Sequence, residues 1–383
     1  MSRFAPYLGI VLALLLGGLL AVFSSDFAAA PSSSTTASST ISIVPNIESL
    51  QTMHSGEEKP AASAPASRPE TPTPEAVTKA PSPASSASLE KSLSSAPTAS
   101  APAPSSSDAS LDAAAAALRG ALVNIMCYAP VGSGLHSILG SGIFIDPKGI
   151  ILTDAHVAQY FLLADHGVTC AVRTGSPAVD RYEAALVYIS PAWIHANANV
   201  LTQSAPIGTG QYDFALLAVA KSATNAPLPA TFPSVPLAET PPVPGTPVVI
   251  ASYGAQFLQT NQIQSDLFPT IVFGSVKDVF TFAVNSADVI ALGGSAAAQE
   301  GSSGGGVVDA NGTLIGSITT STIEGATDTR SLYAITASYI RSEYEREMGS
   351  SIDALLNQPV LYSVADFAQR IPTLESIITA GLP

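Results

Sequence analysis

The serine at position 303 lies in the stretch GSSGGG, residues 301 to 306. Two short strand-like runs follow it and are joined by DANG, a strong hairpin signal. Because a flexible linker would not run directly into a hairpin, we assign these glycines to a folded domain. Attack on a carbonyl by a serine needs a base, a carboxylate that orients the base, and N–H donors for the oxyanion. We predict that Ser303 is the nucleophile and that the backbone amides of Gly301 and Ser303 are the oxyanion donors.

The candidate base is His156 in the stretch GIILTDAHVAQYF, at the point where a strand ends and a helical turn begins. The candidate carboxylate is Asp213, which directly precedes the apolar run FALLAV. A carboxylate at the start of such a strand is costly unless it is hydrogen-bonded, and the Nδ1–H of a histidine would satisfy it. Asp154 lies only two residues from the histidine and competes for this role, but we favour Asp213.

In the order His156, Asp213, Ser303, these motifs resemble those of the chymotrypsin-fold serine proteases. The stretches TDAHV, YDFALL and GSSGGGVVDANGTLIGSI carry the resemblance, which covers roughly residues 118 to 346. It is closest to bacterial trypsin-like peptidases related to the high-temperature-requirement family. The resemblance implies an all-β fold of two six-stranded antiparallel barrels with a C-terminal helix. It also implies a serine endopeptidase that forms an acyl-enzyme with a protein or peptide substrate.

The same resemblance places the primary specificity pocket near Ala297, about six residues before the nucleophile, with a wall at Thr319, Thr320 and Ser321. No acidic residue lies there, so a preference for Lys or Arg is not expected and a small or medium apolar side chain is favoured. Secreted digestive members carry an Asp that pairs with a newly cut amino terminus, whereas this chain has Ser302 at that position. Activation by such a cut is therefore not predicted.

Other serine hydrolase and cofactor chemistries do not fit the sequence. The GxSxG elbow of α/β-hydrolases requires a His after the Ser, whereas all five His residues precede Ser303. The Asp, His, Ser order of subtilisins requires a parallel sheet, and the strand–helix alternation that indicates one is missing. No HExxH motif, P-loop or dinucleotide fingerprint occurs, so we predict neither a metal nor a cofactor. A non-catalytic binding module built on the same barrels remains the alternative function.

Short strand-like runs, separated by Gly, Pro and Asn turns, dominate the chain beyond its N-terminal third and indicate an all-β barrel or sandwich. We predict one β unit over about 118–225 and a second over about 240–337, joined by a Pro-rich connector. A helix with one packing face is predicted over 337–347, near the end of a domain that spans 111–348. Residues 349–383 are too few for another domain and are predicted to form a small helical tail.

The N-terminal segment decides the predicted compartment. Residues 4–23 are uncharged and long enough to cross a bilayer as a helix, so residues 1–30 are predicted to be a membrane anchor. A cleaved signal peptide is the competing interpretation. Residues 31–110, rich in Ser, Thr, Ala and Pro, are predicted to be a disordered linker. Both interpretations place the domain outside the cytoplasm, anchored at a bacterial cell surface or in the periplasm, or secreted if the segment is cleaved.

Net charge restricts the partners, and the cysteine content agrees with that placement. The formal net charge of −14 argues against a nucleic-acid partner, which would require a basic surface. Cys127 and Cys170 lie in two apolar, strand-like runs, and in an oxidising compartment an even count favours a disulfide bond between them. Two separate buried thiols are the alternative.

Overall fold

A computed structural model describes residues 106–203, 208–282, 286–321 and 325–382 of the chain. The predicted anchor, residues 1–30, and the predicted linker as far as residue 105 lie outside these ranges. Within the ranges, no helix combines the length and the apolar character needed to span a bilayer.

The first β unit contains six antiparallel strands: β1 (Leu122–Tyr128), β2 (Ile138–Asp146), β3 (Ile150–Thr153), β4 (Thr169–Gly175), β5 (Ala178–Ile189) and β6 (Ala215–Ser222). They close into a barrel in the order β1-β2-β3-β6-β5-β4. All of β3 and the first five residues of β6 are buried, because both strands are apolar on each face. These two strands pair with each other; β3 ends shortly before the predicted base, and β6 begins shortly after the predicted carboxylate.

The second β unit contains seven strands: β7 (Pro247–Ser252), β8 (Thr270–Ser275), β9 (Asp278–Phe280), β10 (Val289–Ala291), β11 (Gly306–Asp309), β12 (Leu314–Ser321) and β13 (Leu332–Thr336). They form one curled antiparallel sheet in the order β8-β7-β11-β12-β13-β10-β9. The predicted hairpin through DANG is the β11–β12 pair.

This curled sheet differs from the closed six-stranded barrel that the resemblance implied. Its edge strands β8 and β9 follow each other in the chain and are separated only by Val276 and Lys277. At this point the backbone changes partner: Val276 exchanges hydrogen bonds with Gly245 and Thr246 beside β7, while Lys277 donates to Ala291 of β10. The strand that would close a six-stranded barrel is therefore broken into two short strands, one at each edge of the sheet.

Helices cover the ends of the two units. The first, α1 (Ser106–Ala121), packs on β2, β7 and β11, and its Leu118 is fully buried. Three short helices lie in loops of the β units: α2 (Ala155–Ala158), α3 (Pro191–Ala196) and α4 (Thr260–Ser265). Single 3₁₀ segments lie at Gln159–His166, Val200–Thr202 and Thr327–Thr329.

The helix predicted over 337–347 is confirmed as α5 (Ala337–Met348). The Thr336 hydroxyl caps its N-terminus by accepting a hydrogen bond of 3.1 Å from the Tyr339 N–H. The predicted packing face is buried and consists of Ala337, Ile340 and Tyr344.

Three further helices follow: α6 (Ile352–Asn357), α7 (Val360–Ala368) and α8 (Ile371–Thr379). They pack largely on the first barrel, since α7 contacts β5, and α8 contacts α3 and the 3₁₀ segment after α2. The ring of Phe367 in α7 lies 6.3 Å from that of Tyr188 in β5, which lies 4.8 Å from Tyr344 in α5. This aromatic cluster joins the barrel, α5 and the tail.

Cys127 and Cys170 form a disulfide bond, which confirms the predicted pairing. The two residues are directly opposed in the β1–β4 ladder, so the bond crosses two neighbouring strands of the closed barrel. In the chain-entropy description, closing a loop of this length stabilises the folded state by about 3–4 kcal/mol.

Removal of the Phe367 ring should weaken the packing of the tail on the barrel. The side chain is 1% exposed, so Phe367→Ala is expected to lower the free energy of unfolding by about 3–5 kcal/mol. Leu361→Ala on the same helix is the matched control, because Leu361 is 81% exposed and its loss should change little. Urea unfolding measures both. Equal effects of the two substitutions would contradict this packing.

Candidate active site

Asp213 and His156 are joined at two points. The Asp213 Oδ2 lies 2.8 Å from His156 Nδ1, and the Asp213 Oδ1 accepts a hydrogen bond of 2.9 Å from the His156 backbone N–H. Asp213 is buried, whereas the imidazole is 26% exposed. The carboxylate therefore favours the tautomer with the proton on Nδ1 and leaves Nε2 as the nitrogen that accepts a proton.

The junction of β3 and α2 presents the histidine. β3 ends at the buried Thr153, the chain turns at Asp154 in an extended conformation, and Ala155 begins α2. The imidazole of His156 thus projects from a short helix fixed to the barrel. The Gln159 side chain donates to the His156 carbonyl at 2.8 Å and holds this turn further.

The turn that presents Asp213 is strained. Tyr212, immediately before it, has φ +59°, a left-handed conformation that costs a non-glycine residue about 1–2 kcal/mol. Helix α5 holds this turn, because the Tyr212 N–H donates to the Tyr339 hydroxyl at 3.0 Å and the Arg346 guanidinium lies 5.4 Å from the Tyr212 ring centre. The carboxylate of the first barrel is therefore supported by a helix that follows the second β unit.

The carboxyl groups around His156 change its affinity for a proton. Burial lowers the pKa of His156, but the charge and hydrogen bond of Asp213, together with the charge of Asp154, outweigh burial and raise the pKa from 6.5 to about 9. Burial raises the pKa of Asp154 well above its usual value, and the charge of Asp213 raises it further. The protonated imidazole is thus stabilised, as a base requires when it takes a proton from a hydroxyl.

The loop that carries Ser303 is docked on the first barrel through Ser141 of β2. The Ser141 N–H donates to the Ser303 carbonyl at 2.7 Å. The Ser141 hydroxyl donates to the Gly301 carbonyl at 2.8 Å and accepts from the Tyr253 N–H at 2.9 Å. Thr153, the last residue of β3, donates to the Ser141 carbonyl at 2.7 Å. One buried serine thus connects the nucleophile loop to the strand end that carries the histidine.

Ser141 was not among the site residues predicted from the sequence. The only sequence signal was a polar residue within the apolar run ILGSGIFI, and the structure buries it fully, where a hydroxyl is almost always hydrogen-bonded. Ser302, which directly precedes Ser303 in the nucleophile loop, is also buried and is hydrogen-bonded to the Ser252 hydroxyl at 3.0 Å. Ser303 itself remains partly exposed.

Gly304 allows the nucleophile loop to approach the barrel. Its φ is +82°, and a Cβ atom at this position would lie 2.1 Å from the Ser141 carbonyl oxygen and 2.5 Å from Thr153 Oγ1. A side chain there would displace the loop that carries Ser303. The glycine therefore permits both the close contact between the two β units and the left-handed conformation of the local turn.

The two backbone N–H groups predicted as oxyanion donors have no hydrogen-bond acceptor among the described residues. The Glu300 carbonyl, in the same peptide group as the Gly301 N–H, accepts a hydrogen bond of 2.8 Å from the Ala255 N–H. Because the C=O and N–H of a trans peptide point in opposite directions, the Gly301 N–H is turned away from Ala255. Among the hydrogen bonds of the described residues, none is donated by the Gly301 or Ser303 amide. The assignment of both amides as oxyanion donors stays a prediction.

The predicted pocket residues lie on two segments beside the nucleophile loop. Ala297 is fully buried in the segment that leads to Ser303, and Thr319 of β12 is also buried. Thr320 and Ser321 continue the same strand. Ala297 therefore precedes the loop in the chain, and the other three residues lie on β12, which pairs with the strand that follows the loop. The substrate contacts assigned to the four residues stay predictions.

Arg330 is a buried cation beside this pocket that the sequence analysis did not single out. Its guanidinium donates to the carbonyl oxygens of Ala298 and Gly325 and to the side chain of Gln256. It also lies 5.8 Å from the ring centre of Phe257. Arg330 thus holds together three segments around the predicted specificity pocket.

Asp154, His156 and Asp213 also form a group of described side chains that could surround a metal ion, with ligand atoms within 4.8 Å of one another. An ion would require the Nδ1 lone pair of His156. That nitrogen already lies at hydrogen-bond distance, 2.8 Å, from Asp213 Oδ2, and an ion bound there would break this hydrogen bond. We therefore assign the group as a hydrogen-bonded acid–base cluster rather than as a metal site.

A closed antiparallel barrel beside a curled antiparallel sheet, with the histidine and serine loops in contact, defines the class of chymotrypsin-fold serine peptidases. The comparison with protein families agrees, because residues 140–316 match the model of the trypsin-like peptidase domain. Residues 140–316 thus form a trypsin-like peptidase domain, and this match together with the fold supports a serine-type peptidase.

Solved structures of the Rv3671c protease from M. tuberculosis are among the similar folds. The active form is 20% identical with a TM-score of 0.41, and the match covers 71% of this chain and 97% of that chain. An inactive form is 18% identical with a TM-score of 0.39, and the match covers 64% and 98% of the two chains. Neither likeness is strong enough to bear on function. No curated protein matches the sequence.

A Cβ atom at position 304 should disrupt the active site. Gly304→Ala is expected to lower the rate of peptide hydrolysis by about 100-fold or more, because the nucleophile loop must move away from Ser141. Gly312→Ala is the matched control: its φ is +75°, but nothing lies within 4 Å of the added Cβ. It carries a similar backbone strain without the collision and should remain active. Equal rates for the two variants would contradict the close approach.

Proposed function

We propose that this chain is a serine endopeptidase that acts through a His156–Asp213–Ser303 triad and is tethered outside the cytoplasm. The observation that carries the proposal is the two-point hydrogen bonding of Asp213 to His156. The docking of the Ser303 loop on Ser141, beside the end of β3, supports the third member. The imidazole and Ser303 are both partly exposed, whereas Asp213 and Ser141, which hold them, are buried.

The proposed reaction begins with a proton transfer. Nε2 of His156 removes the hydroxyl proton of Ser303 while the oxygen attacks a peptide carbonyl. Asp213 holds the ring in the required tautomer and stabilises the imidazolium that forms. The imidazolium then donates its proton to the amine that leaves, and the acyl group remains on Ser303 until a water molecule, deprotonated by the same nitrogen, releases it.

Charge on the carbonyl oxygen is proposed to be stabilised by the amides of Gly301 and Ser303. The hydrogen bond between Glu300 and Ala255 fixes the peptide group that carries the first donor before substrate arrives. Donors already fixed in place need no reorganisation during the reaction, which is the source of their effect.

The proposed substrates are proteins or peptides with a small or medium apolar side chain at the primary pocket. Buried Ala297 and the absence of an acidic residue among the predicted pocket positions support this preference. The proposed extracytoplasmic tether rests on the uncharged run of residues 4–23 and the low-complexity residues that follow it. The disulfide agrees with an oxidising compartment.

Cleavage of a peptide library by the purified protein tests the proposal. Ser303→Ala is expected to lower kcat by on the order of 10⁶, and Asp213→Asn by on the order of 10⁴, because the asparagine favours the wrong imidazole tautomer. Products identified by mass spectrometry would also define the residue accepted by the pocket.

Ser302→Ala is the matched control, since it removes a hydroxyl one residue away without altering the triad. It should lose one buried hydrogen bond, worth about 1 kcal/mol of stability, and keep activity within a few fold. Binding of peptides without cleavage by the folded, unaltered protein would instead establish the alternative, a non-catalytic binding module.

A further inference from the structure

Asp154 is a second carboxyl group beside the histidine, and the proposed reaction does not use it. Its side chain is completely buried, and its Oδ2 lies 3.7 Å from His156 Nδ1. The same nitrogen lies 2.8 Å from Asp213 Oδ2. Two carboxyl groups from different segments therefore converge on one imidazole nitrogen.

The two carboxyl groups do not have the same geometry. Asp213 is at hydrogen-bond distance from both the ring and the backbone of His156. Asp154 is beyond hydrogen-bond distance, so it cannot select the tautomer. At 3.7 Å its charge still interacts strongly with the imidazolium, because the pair is shielded from solvent on the side of Asp154.

The surroundings of Asp154 leave half of its carboxyl group without a hydrogen bond. Oδ1 faces the Ser317 hydroxyl of β12 at 3.4 Å, while Oδ2 has no hydrogen-bond partner. The Gly304 amide of the nucleophile loop also faces this group. The ionisable groups that act on it are Asp213, from the turn before β6, and His156, from its own segment.

A buried carboxyl oxygen without a partner is unfavourable unless something compensates for it. The ionised carboxylate is compensated by the positive charge of the imidazolium, which exists in the resting enzyme at low pH and again during each proton transfer. When the imidazole is neutral, burial favours the protonated, uncharged carboxyl group, in keeping with the raised pKa of Asp154. A carboxylate that only stabilises the imidazolium by its charge needs no hydrogen bond to the ring and no contact with substrate.

We propose that Asp154 is a positioning residue for the proton of His156: it stabilises the imidazolium electrostatically while Asp213 alone orients the ring. This inference rests on the proposed function. It predicts that the acid limb of activity lies at higher pH than for a histidine paired with a single carboxylate, because the neutral imidazole required as base forms only at higher pH. Consistent with this geometry, Asp154 contributes to the raised pKa of His156.

The test measures the rate at which a fluorophosphonate probe modifies Ser303 between pH 5 and pH 10, since this rate requires neutral His156 but no known substrate. The full-length unaltered protein is expected to show an acid limb about one pH unit or more above 6.5, the ordinary value for histidine. Asp154→Asn keeps the shape and removes the charge, so its acid limb should move down by about one unit or more.

Two comparison variants separate the possible causes. Asp353→Asn removes one charge at an exposed site on α6 and should leave the acid limb in place. Asp213→Asn should lose reactivity at every pH, because the ring is no longer oriented. A structural defect in Asp154→Asn would lower the rate at all pH values without moving the limb.

An unchanged acid limb in Asp154→Asn would overturn the inference. Loss of labelling at every pH in a folded Asp154→Asn protein would also overturn it, since Asp154 would then hold the ring. If that variant does not fold, an acid limb of the unaltered protein at or below 6.5 overturns the inference instead. If the unaltered protein were labelled at no pH in this range, the result would refute the proposed function and not this inference specifically.

Discussion

The approach of the nucleophile loop to the first barrel is the constraint on which the site depends. The serine and the histidine come from different β units, so each can be well folded while their relative position is wrong. Ser141 fixes that position through its amide and hydroxyl, while its carbonyl accepts a hydrogen bond from Thr153 at the end of β3. The contact is close enough to exclude a side chain at Gly304. Misplacement of reacting groups by about 1 Å costs on the order of 100-fold in rate, so this packing is a condition for catalysis.

The groups proposed to react and the groups that support them differ in burial. His156 and Ser303 are partly exposed and can meet a substrate, while Asp213, Asp154 and Ser141 are buried. Burial strengthens the electrostatic interaction of the carboxyl groups with the imidazole, because little water screens it. It also makes each unpaired polar atom costly.

Support for the site extends beyond the two β units. Helix α5 holds the strained turn before Asp213 through the Tyr339 hydroxyl, and its own Tyr344 packs on Tyr188 of the barrel. The C-terminal helices join the same aromatic cluster through Phe367. The tail therefore contributes to the stability of the barrel that carries the histidine and the carboxylate, although it lies far from the reacting atoms in sequence.

Local sequence patterns predicted those parts of the structure that depend on short segments. The hairpin after Ser303, helix α5 and the all-β character follow from turn residues and periodicity, and the cysteine pairing follows from an even count. The triad candidates follow from motif order, and their roles stay predictions. Ser141 was missed because its partners lie 112 and 160 residues away, and no local pattern records such contacts. The break between β8 and β9 was missed for the same reason, since it depends on which strands become neighbours.

Mass-spectrometric mapping of a fluorophosphonate adduct shows whether two distant segments form one reactive centre. We expect a single adduct on the peptide that contains Ser303, formed by the unaltered protein and lost in His156→Ala. An adduct at another serine, or equal labelling of Ser303 without the histidine, would refute the proposed triad.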